Sequence, residues 1–146
     1  NEHRIGTDDY VWMASTLGGN PISTAAAIAT LNVLKRPGTY GKLHERGKYL
    51  RTKMREVIKK YPVNAQIIGD GPLAQIVFTD KPIKNYRTAN TADKTIGRNF
   101  MLGLFKNNIF LNPMGTKLYL SIAHDKAILD EFLNRFEDVF KSLLNK

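Results

Sequence analysis

Apolar residues in this 146-residue chain change their spacing several times, and that switching limits the fold more than any single motif does. From Ile22 to Leu34 the residues are small or apolar on nearly every face (Ala25, Ala26, Ala27, Ile28, Ala29, Leu31, Val33). Next, Leu43, Gly47, Leu50, Met54, Ile58 and Tyr61 follow in steps of four or three, which lays one narrow stripe along a helix. Val63 to Ile68 and Leu73 to Thr79 read as short strands around the turn Gly69-Asp70-Gly71-Pro72, a hairpin-style pair. A third helix is predicted from about Thr91 to Asn107, burying Ile96, Phe100, Met101, Leu104 and Phe105. Ile109-Phe110-Leu111 is a predicted strand, Asn112 to Gly115 a turn, and Leu118 to Ile122 alternates with Leu118, Leu120 and Ile122 on one face. A wide apolar stripe from Ile128 to Leu144 marks a last helix beginning near Asp125. Tyr10 to Met13 reads as a further buried strand. This order of elements predicts an α+β fold, a small antiparallel sheet with helices packed on one face.

The breaks between these stretches are chemically explicit. Asn20 is a strong N-cap and Pro21 stands at the first helical position, where a missing N–H costs nothing. Pro37-Gly38 ends the first helix and Pro62 the second. A helix apolar on every side is expected to be buried, or to pack against something outside these residues. With no 18-residue apolar run, no membrane-spanning helix is expected. The absence of cysteine excludes a disulfide framework and a thiolate site, and suits a reducing compartment such as the cytoplasm.

Twenty-two basic residues against 13 acidic ones leave a net charge of +9. Residues 42–60 hold Lys42, Arg46, Lys48, Arg51, Lys53, Arg55, Lys59 and Lys60 against Glu45 and Glu56, so +6 of that excess lies on one amphipathic helix. Two readings stand: a surface that tracks nucleic-acid phosphates, or a solvated outer face. Few aromatics interleave with the charges, which argues against stacking on single strands.

Three further places deserve a chemical reading. Ser15-Thr16-Leu17-Gly18-Gly19-Asn20-Pro21 sets two glycines and a hydroxyl before a helix N-terminus, where free amides and the helix dipole favour an anion; an ordinary capped loop has the same composition. Its spacing fits neither a P-loop nor a dinucleotide fingerprint. Ser121 and His124 are close enough for a nucleophile and its base, though a histidine at a strand end also serves as a cap, and no third group is indicated. His3 and His44 are isolated and no histidines or carboxylates have ligand spacing, so no metal site is expected.

Two of these stretches resemble the class III aminotransferases, pyridoxal-phosphate enzymes of fold type I, and within them the glutamate-1-semialdehyde aminomutase branch. Ser15 to Pro21 with its alanine-rich helix is similar to that family's Gly-Thr-Leu-Ser-Gly-Asn-Pro loop. Asn108-Ile109-Phe110-Leu111-Asn112-Pro113 through Leu120-Ser121-Ile122-Ala123-His124 resembles its closing segment, where a strand ends in Ser-x-Ala-His. Pro37 to Tyr40 and the strand Leu73 to Thr79 fall in matching order between them.

The resemblance implies the C-terminal part of a fold type I enzyme, with residues 1–36 closing the large cofactor domain and its connecting helix, and 37–146 forming the small domain. It implies pyridoxal 5'-phosphate as cofactor, with Thr16, flanked by Ser15 and Leu17, hydrogen-bonding the phosphate held by a homodimer partner. The family's Schiff-base lysine precedes this loop, whereas no lysine precedes Lys35 here, so no catalytic residue is assigned. These residues alone are expected to be inactive without the N-terminal large domain. The implied reaction moves an amino group between a small amine or amino acid and a carbonyl acceptor. Two positions depart from the pattern: Gly18 replaces a serine, and Thr116 stands where aminomutases carry a glutamate near the substrate. The second departure favours a related transaminase as much as the mutase; Lys117 beside it reads as a carboxylate ligand or a solvated lysine. The competing expectations are a stand-alone basic α+β domain binding nucleic acid through 42–60, and a remnant that only dimerises.

Overall fold

In the computed structural model the residues described are 16–112 and 116–144, so the strand predicted over Tyr10 to Met13 lies outside them. The chain divides into two compact units at the Pro37/Gly38 boundary.

The first unit holds α1 (Pro21–Leu34). The Asn20 side chain accepts the amides of Ile22 at 3.0 Å and Ser23 at 3.2 Å, so the predicted cap forms. Alanines supply the helical propensity, and Pro21 sits in the first turn. The helix bears no charged residue and none of its residues is buried. Ile22, Ile28 and Leu31 are among the exposed large hydrophobics.

The second unit contains α2 (Thr39–Ile58), β1 (Gln66–Ile68), β2 (Leu73–Val77), α3 (Tyr86–Ala89), α4 (Lys94–Lys106), β3 (Lys117–Tyr119) and α5 (Lys126–Leu144). The strands form one antiparallel sheet in the order β1-β2-β3. Ile67 pairs with Ile76 and Ala74 with Leu118, so these four side chains share one face of the sheet. They join the core that α2, α4 and α5 supply through Leu50, Met54, Phe100, Leu104, Phe136 and Phe140. Phe140 has no exposed surface and its ring meets those of Tyr61, Phe78, Phe100 and Phe136. The α+β architecture expected from the spacing is therefore present.

Several boundaries differ from the sequence reading. The strand β1 begins at Gln66 instead of Val63, and β2 ends at Val77 instead of Thr79. The helix over 91–107 begins only at Lys94, because Asp93 accepts the amides of Thr95 and Ile96 and so caps it there. A separate turn of helix, α3, precedes it, started by an Asn85/Thr88 capping box in what reads as a polar connection. Ile109 to Leu111 is not a strand. The Ile109 amide donates to the Leu104 carbonyl at 2.9 Å as the chain leaves α4 through Asn108, at φ 58°, so it finishes the helix instead of joining a ladder. The alternation over 118–122 stops pairing as β3 at Tyr119; Ile122 falls in a turn, 46% exposed.

On the α2/α5 surface, Glu137 accepts from Lys60 at 3.1 Å and from the Tyr61 hydroxyl at 3.0 Å. The Lys60 hydrogen bond is the main reason its carboxyl lies below the ordinary glutamate range. A depressed folded-state value stabilises the fold above the unfolded value, roughly pH 4.3, and that contribution disappears as the pH falls through the folded value. Glu137→Gln is thus expected to lower stability at pH 7 by less than about 1 kcal/mol. Melting curves of the two proteins should converge at low pH; a gap that persists at pH 2 would show the carboxylate is not its source.

Candidate functional site

The Thr16–Pro21 loop is built around Asn20. The Asn20 amide donates to the Leu17 carbonyl at 3.1 Å, with Gly19 at φ 75°, a conformation that suits glycine. The Thr24 amide and hydroxyl both reach the Asn20 carbonyl, each at 2.9 Å. The first-turn amides of α1 are accordingly taken: Pro21 has none, Asn20 accepts those of Ile22 and Ser23, and Thr24 donates to its carbonyl. An anion here would use the exposed Thr16 hydroxyl and the loop amides ahead of Asn20, with the positive end of the α1 dipole behind them. Spacing alone does not show this division between capped helix and open loop. Ser15 lies outside the described residues.

The closing segment brings Ser121 and His124 together, with Oγ 3.1 Å from Nδ1. The same Nδ1 accepts the Ser121 amide at 2.9 Å, so the pair closes a turn in the way a strand-end cap does. Thr116 donates its hydroxyl to the Ile76 carbonyl, tying this position to the sheet. Lys117 is exposed on β3, opposite Gln75.

The basic stretch 42–60 is spent largely within the fold. Arg51, 8% exposed, donates to the Gly71 and Leu73 carbonyls at 2.6 and 2.7 Å. Arg55 reaches the Ile67 carbonyl at 2.9 Å, Arg46 that of Ile122 at 2.8 Å, and Lys53 and Lys60 pair with Glu56 and Glu137. Lys42, Lys48 and Lys59 are exposed, as are the partnered Arg55 and Lys60, so the outer face of this helix is a solvated charged surface. Among the described residues no three histidine, aspartate or glutamate side chains gather as a metal ion would need, and no helix is long and apolar enough to cross a membrane.

The profile of the family "Aminotransferase class-III" matches residues 4–140. The chain belongs to the class III aminotransferases. Both the Thr16–Pro21 loop and the segment running to His124 fall inside that aminotransferase match. Among curated relatives, the chain is 33% identical to glutamate-1-semialdehyde 2,1-aminomutase of Persephonella marina, over 92% of its own length and 32% of the relative's. It is 34% identical to glutamate-1-semialdehyde 2,1-aminomutase 2 of Lachnoclostridium phytofermentans, over 90% and 31%. The chain thus spans about a third of the length of the curated aminotransferase-family relatives it matches. Solved structures share its fold, two of them with TM-scores of 0.80 and 0.77. One is a β-phenylalanine aminotransferase from Variovorax paradoxus (TM-score 0.80, 21% identity, 93% of this chain and 31% of that one). The other is a glutamate-1-semialdehyde aminomutase from Pseudomonas aeruginosa (TM-score 0.77, 16% identity, 95% and 32%). None of these relatives is named as a nucleic-acid binder, and nothing supports that alternative.

Proposed function

We propose that this chain is the C-terminal segment of a pyridoxal-phosphate-dependent class III aminotransferase or aminomutase, and that its own part in the reaction is to grip the cofactor phosphate. The observation that carries the reading is the family match over 4–140 together with an open hydroxyl-and-amide loop just ahead of a capped helix. The fit is chemical: Thr16 to Gly19 includes no acidic side chain, the Thr16 hydroxyl is exposed, and the helix dipole presents its positive end. When bound, the cofactor supplies the electron sink for amino-group transfer. Thr16 would donate its hydroxyl to a phosphate oxygen, with the Leu17 amide and the flanking Ser15 beside it. The lysine that carries the cofactor would come from residues other than these, since the first lysine here is Lys35, past the end of α1.

The division of the chain at Pro37 supports residues 1–36 as the end of a large cofactor domain and 37–146 as the small domain. The charge-free α1 supports packing against that large domain and a homodimer partner. The substrate class is a small amine or amino acid, and the cytoplasm the expected location. Thr116, which donates to the Ile76 carbonyl, stands where the aminomutase pattern has a glutamate, so a related transaminase fits the reading at least as well as the mutase.

In the complete enzyme, Thr16→Val keeps the side-chain shape and removes the hydroxyl. A hydrogen bond to a charged group contributes about 1.5–3 kcal/mol, so the cofactor dissociation constant should rise roughly ten- to hundredfold. The check is equilibrium dialysis followed by cofactor absorbance, with dimer mass measured alongside. Unchanged retention in an intact dimer would refute the role of Thr16.

A further inference from the structure

The turn that carries β3 into α5 is held by an imidazole, where turns of this size ordinarily use an asparagine, aspartate or serine oxygen. The His124 amide donates to the Ser121 carbonyl at 3.2 Å, and in return the Ser121 amide donates to Nδ1 of His124 at 2.9 Å. The Ser121 hydroxyl accepts the Ala123 amide at 3.3 Å and lies 3.1 Å from the same Nδ1. Two clamps come from elsewhere in the unit. Arg46 of α2 donates to the Ile122 carbonyl at 2.8 Å, and the Leu120 amide donates to the Pro72 carbonyl at 3.0 Å. Asp125, next in the chain, is occupied in capping α5 through the Ile128 amide.

An amide N–H can only donate. Nδ1 must therefore present its lone pair, and a neutral ring then has its proton on Nε2. With Nδ1 committed to the backbone, it is not free to act as a base toward the Ser121 hydroxyl. The ring also lines a groove of about 480 Å³, together with Tyr119, Leu120, Ile128 and Phe132. The charged groups lining that groove are Lys117 of β3 and the ion-paired Glu131 and Arg135 of α5.

We infer that His124 is a positioning residue: the lone pair on Nδ1 fixes the 121–124 turn and with it the wall of this groove. The role belongs to the chain whatever cofactor the parent enzyme carries. Asparagine places an acceptor oxygen at the same point of the side chain, one bond beyond Cγ, whereas leucine offers similar bulk with no acceptor. In the whole chain, nitrogen-15 spectra of the imidazole at neutral pH should show Nε2 protonated and Nδ1 bare. Amide exchange at Ser121 should be about three- to tenfold faster in His124→Leu than in the native chain, the loss expected for one ordinary hydrogen bond. His124→Asn should restore most of the protection, and Ser121→Ala, which keeps the amide donor, should leave the tautomer unchanged. A proton found on Nδ1, or exchange in His124→Asn as fast as in His124→Leu, overturns the assignment. The tautomer measurement needs only the native chain, so a variant that fails to fold leaves the test intact.

Discussion

Gly47→Ala will destabilise the 38–146 unit by at least about 3 kcal/mol, at or beyond the upper end of ordinary overpacking. A Cβ at Gly47 would stand 1.8 Å from the Gly71 carbonyl oxygen and 2.8 Å from its carbon. Both are backbone atoms, so no rotamer change relieves the clash. That oxygen is also an acceptor of the buried Arg51, so pushing the turn away strains the same contact a second time. Alanine gains about 1 kcal/mol of helical propensity over glycine, far less than this cost. Gly41 provides the control: it lies in the same helix with nothing within 4 Å of its Cβ, so Gly41→Ala is expected to stabilise by about 0.5–1 kcal/mol. Urea unfolding followed by circular dichroism reads both, and equal effects of the two substitutions would show that α2 does not rest on the Gly71 turn.

Phe140→Ala should cost about 3–5 kcal/mol, the usual loss when a fully buried aromatic leaves a cavity. Its ring touches Phe78 after β2, Phe100 on α4, Phe136 on α5 and Tyr61 beyond α2, so one deletion loosens several elements together. Phe110 is the contrast: it stacks on Phe105 at 5.5 Å but is 83% exposed. Phe110→Ala should therefore stay within about 0.5 kcal/mol. A Phe140→Ala change below 1 kcal/mol would place the hydrophobic centre elsewhere.

Much of this fold was legible because helix and strand spacing is a local property. The stripe Leu43, Gly47, Leu50, Met54 and Ile58 is buried as read, and Asn20 caps α1 as its chemistry requires. Ile109 to Leu111 misled because a short apolar run has the same look whether it pairs in a sheet or closes a helix. Here the Leu104 carbonyl took the Ile109 amide, and only Leu111 of the three is buried. The candidate loop was legible as a motif, but its open donors were not. Which amides Asn20 covers depends on how the loop turns at Gly19.

Spacing, caps and breakers by themselves determined the α+β class and the helix starts at Pro21 and after Asp125; the aminotransferase lineage came from the resemblance of two motifs and the family match over 4–140. Tertiary structure alone decided what the cations of 42–60 do. Arg46, Arg51 and Arg55 find carbonyls at Ile122, Gly71, Leu73 and Ile67, 12 to 76 residues away in the chain. A guanidinium near a closing sheet is stabilised by whichever backbone oxygens would otherwise be left without donors. Those oxygens become neighbours only once the chain has folded, which is why a helix that reads as a charged outer surface, and keeps Lys42, Lys48 and Lys59 exposed, also braces the strands and turns beside it through three arginines.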